Sequence, residues 1–219
     1  MKINTDGVLL GALADADNPK TVLDIGAGTG VIALMLAQRF ANACVDAVEI
    51  DKQAALTAGR NFVNSPFAGR LNIYPVGFEQ FFEQYPEKKY DLIVSNPPFY
   101  VNSLKSPQKD KQIAKHADMI FFETLIRNIS GHLSPTGIFC LILPTDTAGL
   151  VKKTATAASL FVTKQVDVLS YSSSEPHREI LSLSFEKRAA EGRQFVIYHG
   201  LQVYSDEYAD ALKEFFTIF

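Results

Sequence analysis

Asn96, Pro97, Pro98 and Phe99 stand directly after the apolar run Leu92-Ile93-Val94, where a strand should end. Their types suit one kind of chemistry. An exocyclic amine on a planar group is a poor nucleophile because its lone pair is delocalised. Two acceptors aimed at its two hydrogens draw the nitrogen toward tetrahedral geometry and free that pair. Asn96 can offer its side-chain carbonyl and Pro97 its backbone carbonyl, while the prolines stiffen the loop by fixing φ. Phe99 adds a face on which a planar base can stack. A Pro-Pro turn beside a core phenylalanine is the plainer alternative.

A second loop, Asp24-Ile25-Gly26-Ala27-Gly28-Thr29-Gly30, follows the apolar run Val22-Leu23. Gly26, Gly28 and Gly30 remove Cβ atoms that would hold a ligand away from the backbone, which makes all three candidate cofactor contacts. The spacing is Gly-x-Gly-x-Gly, not the Gly-x-Gly-x-x-Gly of a dinucleotide cradle. Asp24 would repel a phosphate but can pair, directly or through water, with an ammonium group. The loop therefore favours a cofactor with a cationic amino-acid end over NAD. Glu49, at the end of the next strand-like run, is placed to accept hydrogen bonds from two ribose hydroxyls, a geometry that serves NAD and S-adenosylmethionine alike. Asp51 is either a further contact or the N-cap of the following helix.

Both loops need strand ends to hold them, and the pattern supplies these. Apolar runs at 22–25, 44–50, 71–76 and 90–95 alternate with helical spacing at 31–40, 52–64 and 78–84, the order of a parallel doubly wound sheet. Ahead of them, residues 5–14 read as a short apolar helix. Residues 100–115 are polar and read as a long loop. The alternation resumes with a helix over 119–133, a strand over 137–143 and a helix to about 159. Strands at 163–170 and 179–187, joined by a short connection, predict an antiparallel pair at the sheet edge. A further short strand at 195–198 and a helix over 205–216 capped by Ser205 close the chain. In an open sheet of this kind, two loops at the carboxyl ends of neighbouring strands face one crevice.

The chain has 219 residues, 47% apolar and 21% charged, enough for a sizeable core in one α/β domain. No apolar run has the length of a membrane span or signal peptide, which predicts a cytoplasmic protein with no membrane partner. Cys44 and Cys140 lie in strand-like surroundings and are expected in the core, and no metal site is predicted. A net charge of −3 argues against broad non-specific binding to nucleic acid, though not against a local basic patch.

The Asp24–Gly30 loop, Glu49 and Asn96-Pro97-Pro98-Phe99, in this order, resemble class I S-adenosylmethionine-dependent methyltransferases that act on a planar amino nitrogen. The opening Met1–Gly11, with Ile32–Arg39, Asp46–Glu49, Pro176-His177-Arg178 and Tyr204–Tyr208, more closely resembles the bacterial tRNA-Val (adenosine-37-N6)-methyltransferase family, over nearly the whole chain. The resemblance implies a Rossmann-like α/β fold whose doubly wound, mostly parallel seven-stranded sheet has an antiparallel edge strand, in a single domain over 1–219. It implies S-adenosyl-L-methionine as cofactor and N6 of adenosine 37, in the anticodon loop of a tRNA, as the methylated atom. Asp24, Gly26 and Gly28 would line the methionine end, Glu49 would hold the ribose, and Thr5 would lie near the cofactor. Asn96, Pro97 and Phe99 would bind the target adenine. Relatives often place an acidic residue after the third strand, against the cofactor's adenine. Val76-Gly77-Phe78 stand there instead, so backbone groups or Phe78 must serve. Relatives also carry an N-terminal element ahead of the counterpart of Met1, and its absence is a second departure.

The target adenine would be flipped out of its loop to reach the site. Lys105, Lys109, Lys111 and Lys115, with His116 beside them, are candidate phosphate contacts or a solvated polar loop. His177 and Arg178 are further candidate RNA contacts. Competing functions are methylation of a glutamine amide in a release factor, DNA adenine methylation, an NAD-dependent oxidoreductase and a silent cofactor-binding module. Relatives of the release-factor type carry a helical domain ahead of the glycine loop, and only a short segment precedes it here. The sequence does not fix the oligomeric state.

Overall fold

The computed structural model describes residues 4–98 and 108–217, with the backbone alone over 108–115. Helix α1 (Thr5–Leu13) opens the chain, capped by Asn4, whose side chain accepts the Gly7 N–H at 2.7 Å. Strands β1 (Thr21–Ile25), β2 (Cys44–Val48), β3 (Leu71–Tyr74) and β4 (Tyr90–Ser95) then alternate with helices α2 (Val31–Arg39), α3 (Lys52–Val63) and α4 (Phe78–Gln84). Helix α5 (Gln108–His132) leads into β5 (Leu133–Pro144), α6 (Thr145–Ala157) and β6 (Phe161–Leu169). Strands β7 (Arg178–Ser184) and β8 (Glu191–Val196) follow. A small hairpin, β9 (Tyr198–Gly200) and β10 (Val203–Tyr204), precedes α7 (Asp206–Leu212), whose cap is Ser205.

The strand order is β3-β2-β1-β4-β5-β7-β6-β8. Alternate side chains feed two cores because helices cover both faces. Val22, Leu92, Cys140 and Ile142 pack toward α1, α2 and α7, whereas Leu23, Ile93, Phe139 and Leu141 pack toward α4, α5 and α6. The order reverses between β1 and β4, and the crevice outside the carboxyl ends of the strands opens at such a switch point.

One polar knot steadies the β2, β3 and β4 region. Asp46 accepts hydrogen bonds from Asn72 Nδ2 at 2.9 Å, Lys88 Nζ at 2.6 Å and the Tyr90 hydroxyl at 2.7 Å. Burial, with the Asp46 charge beside it, pushes the Tyr90 hydroxyl far up and keeps it a donor.

The α/β, mostly parallel architecture is as expected, with three differences. The sheet has eight strands, not seven, because Glu191–Val196 pairs in parallel with β6 and buries Phe195. The antiparallel strand is internal, not at the edge: β7 lies between β5 and β6 and pairs antiparallel with both. Helix α5 begins at Gln108, inside the expected loop, since Gln108-Lys109-Asp110-Lys111-Gln112 are compatible with a helix but carry no apolar stripe to announce one. Cys140 is buried, but Cys44 is exposed, as the first residue of β2.

Candidate active site

The two loops leave neighbouring strands at the same level. Ile25 of β1 is in register with Ser95 of β4, and the Ser95 hydroxyl donates to the Ile25 carbonyl at 3.0 Å. Gly26 and Asn96 therefore start side by side at the switch point. A cavity of about 670 Å³ opens there, walled by the Gly26–Thr29 turn, the Val48–Ile50 turn, Val76–Glu79, Ser95–Pro98 and the first turn of α1. This volume falls in the range of small-molecule sites.

Gly26 (φ 75°), Gly28 (φ 59°) and Gly30 (φ 85°) all adopt left-handed backbone conformations. The Gly26 and Ala27 amides donate to the Val48 carbonyl at 2.9 and 3.0 Å, folding the turn over the end of β2. Gly26 and Gly28 line the cavity, and a Cβ on Gly26 would meet nothing within 4 Å. Gly30 does not line it. A Cβ there would overlap the Phe62 ring, so the third glycine serves the packing of α2 on α3. The cofactor contact expected of Gly30 therefore has no place on the cavity wall.

Glu49 is nine-tenths buried and lines the cavity. Its Oε2 accepts the Gly28 N–H at 2.7 Å and its Oε1 accepts the Asp51 N–H at 2.8 Å. Each oxygen keeps a lone pair for a ligand hydroxyl. Asp51 itself is the N-cap of α3, accepting the Ala54 N–H at 2.7 Å, and does not line the cavity.

Asp24 lies on the inner side of the loop and is fully buried. Gly30, the N-cap of α2, has no side chain to offer, so Asp24 Oδ2 takes the Ala33 N–H at 3.1 Å in its place. The other oxygen, Oδ1, is buried without a partner. Burial raises the carboxyl to about 7, and the nearby Glu49 charge adds to this against the Ala33 hydrogen bond. Asp24 is not on the cavity wall, so any link to a bound ammonium runs through an intervening group rather than by direct contact.

Asn96, Pro97 and Pro98 line the cavity. Thr5 is exposed and off the wall. Its neighbours Asn4, Asp6, Gly7 and Val8 line the wall instead, because the Asn4 cap fixes the phase of the helix. Phe78 is buried, lines the cavity and meets Phe121 of α5 edge to face, with centroids 5.8 Å apart at 87°. Phe121 also lines the cavity, and the sequence reading passed over it as part of an apolar helix. Asn4 was missed too, although a residue of capping type just before an apolar helix is a signal that could have found it.

Phe99 and Lys105 lie outside the described residues, as do the side chains of Lys109, Lys111 and Lys115, whose backbone belongs to α5. His116 is exposed. His177 is half-buried, and burial followed by the adjacent Arg178 charge lowers its imidazole below the ordinary value. Arg178 Nε donates to Asp6 Oδ2 at 2.8 Å in an ion pair that ties β7 to α1.

Known proteins agree with this geometry. The family "Methyltransferase small domain" matches residues 4–143. A tRNA1(Val) (adenine(37)-N6)-methyltransferase from Pedobacter heparinus is 47% identical, the match covering 100% of this chain and 92% of the relative. A protein of the same name from Flavobacterium psychrophilum is 42% identical over 99% of this chain and 92% of its own length. Among solved structures, a predicted O-methyltransferase from Agrobacterium tumefaciens superposes with a TM-score of 0.68 at 20% identity, covering 95% of this chain and 96% of that one, a likeness of fold. A glycine turn and Glu49 on one side of a cavity, Asn-Pro-Pro on the other, and relatives similar from end to end lead to one conclusion: the chain belongs to the methyltransferase small domain family and, within it, to the tRNA1(Val) (adenine(37)-N6)-methyltransferases.

Proposed function

We propose that the protein methylates N6 of adenosine 37 in the anticodon loop of tRNA-Val, acting in the cytoplasm with S-adenosylmethionine as methyl donor. The observation that carries this reading is the register of Ile25 with Ser95, which brings an acceptor-rich Asn-Pro-Pro loop to the cavity formed by the glycine turn and Glu49. No helix among the described residues is long and apolar enough to cross a membrane.

The residues present fit the donor. Glu49 would accept from the ribose hydroxyls, with Gly28 and Asp51 holding it in place. Gly26 and Gly28 would let the methionine end approach the backbone, and Asp24, through its unpartnered Oδ1, would favour a positive charge nearby. Phe78, with Val76 and the Gly77 backbone, would flank the cofactor's adenine. The bound donor supplies an electrophilic methyl group. The rest of the task falls to the acceptor loop. Asn96 Oδ1 and the Pro97 carbonyl would each accept a hydrogen bond from N6, orient the lone pair and stabilise the positive charge that develops on nitrogen until one N6 proton leaves to solvent. Phe99 would stack on the flipped base. His177 and the lysines of 105–115 are proposed to meet the RNA.

The experiment is methyl transfer from labelled donor to total RNA of a strain lacking this gene, followed by nucleoside analysis. The expected product is N6-methyladenosine. Label in a protein glutamine, or in another nucleoside, would contradict the reading.

A further inference from the structure

Helix α1 supplies a wall of the cavity and is held at both ends by arginines from distant elements. At its carboxyl end, Arg39 of α2 donates from Nη1 to the carbonyls of Gly11 and Ala14. At its amino end, Arg178, the first residue of β7, donates from Nε to Asp6 Oδ2 at 2.8 Å and from Nη1 to the His177 carbonyl at 2.9 Å. The pair joins residues 172 positions apart, with the two side chains only 28% and 19% exposed. Asp6 is itself on the cavity wall. The turn it belongs to abuts the acceptor loop: a Cβ on Gly7 would stand 3.0 Å from Asn4 Oδ1 and 3.7 Å from Asn96 Nδ2. A small shift of this turn would therefore be felt at the amide of Asn96, and such misplacements are costly to catalysis.

We propose that Arg178 is a positioning residue whose ion pair with Asp6 holds the first turn of α1 against Asn96. It thereby sets one wall of the cofactor cavity and the orientation of the acceptor amide. A guanidinium suits this task because its planar fork serves Asp6 and the His177 carbonyl at once, which an ammonium cannot reproduce. The inference rests on the cavity's binding the methyl donor and not on which base is methylated.

The test compares the wild type with Arg178→Ala, Arg178→Lys, Asp6→Asn and the double variant Asp6→Asn/Arg178→Ala. The readouts are the Kd of S-adenosylhomocysteine by calorimetry, kcat and KM for tRNA, and the salt dependence of tRNA binding. Arg178→Ala and Asp6→Asn are each expected to weaken S-adenosylhomocysteine binding by about tenfold and to lower kcat, with Arg178→Lys recovering only part. The double variant should be no worse than the poorer single one, because the two side chains act as one unit. The KM for tRNA should stay unchanged. Additive losses would show that Asp6 and Arg178 act separately and would overturn the proposal. So would wild-type S-adenosylhomocysteine affinity in Arg178→Ala together with a raised KM for tRNA and a salt slope smaller by about 1, the signature of a phosphate contact. If Arg178→Ala does not fold, Arg178→Lys, Asp6→Asn and the double variant Asp6→Asn/Arg178→Lys decide by the same criteria. Calorimetry needs no RNA, so an error in the assigned substrate would leave these affinities as they are and show only as missing methylation by the wild type.

Discussion

Among the described side chains on the cavity wall, Asn96 is the one to which the proposed mechanism assigns the acceptor role. On the proposed mechanism Asn96→Ala removes an acceptor of the developing charge, and losses of one such preorganised group are about 10²–10³ in kcat. Turnover should fall by that order while the Kd of S-adenosylhomocysteine changes by less than about threefold. Equal losses in both would remove Asn96 from its role. Asp24 supports a prediction of a different kind. Its carboxyl stands near 7 in the native state against an ordinary 3.8, so the folded chain holds a proton that the unfolded chain releases. The stabilisation this gives is complete in acid and is lost as pH rises from about 4 to about 7, with a slope of at most about 1.4 kcal/mol per pH unit. Asp24→Asn cannot release that proton. Thermal unfolding should show the variant gaining on the wild type across this window and running parallel above it, whereas a constant gap from pH 4 to 8 would contradict the assignment. That Glu49, Gly26, Gly28 and Asn96 stand on the cavity wall was legible because residue type and strand end coincide in the sequence. Thr5 was not, since the Asn4 cap sets which side of α1 faces inward. Gly30 was not either, because a glycine required by a neighbouring ring looks in sequence like one required by a ligand.

Gly30 belongs to the way α2 sits on α3. Gly30→Ala would place a Cβ against Phe62 in a left-handed backbone. The backbone cost alone is about 1–2 kcal/mol, and the clash adds to it. The Tm should fall by at least about 5 °C, partly restored by Phe62→Leu, with S-adenosylhomocysteine affinity intact in the folded fraction. An unchanged Tm with lost affinity would return Gly30 to the binding site. Elements with an apolar period were readable from the chain: β1 to β4 and α2 to α4 fall within a residue or two of their expected bounds. The first turns of α5 were not readable, because Gln108–Gln112 have helix propensity without periodicity. The internal place of β7 is set by its pairing with β5 on one side and β6 on the other, a long-range choice that local pattern does not encode.

At the scale of the whole molecule, a chain of net charge −3 must draw its RNA through local cation clusters and not through its overall field. The segment after Asn-Pro-Pro brings Lys105, Lys109, Lys111 and Lys115 within a short stretch of sequence, three of them on α5. Replacing all four by glutamine should weaken tRNA binding and lower the slope of log K against log salt by about 3–4, with no change in cofactor affinity. An unchanged slope would remove them from the interface. Arg188 and Arg193 are engaged with Glu186, Glu191 and Glu207 on the surface. Doubly wound topology was expected from strand and helix order. It matters because it sets β1 beside β4, turning two separate sequence motifs into the facing walls of one cavity. The central claim is that this cavity methylates N6 of adenosine 37. Its most direct test is transfer of labelled methyl to a tRNA-Val transcript and to the same transcript with guanosine at position 37. Label recovered as N6-methyladenosine from the first transcript and absent from the second is the predicted result, and equal labelling of both, or of neither, would contradict it.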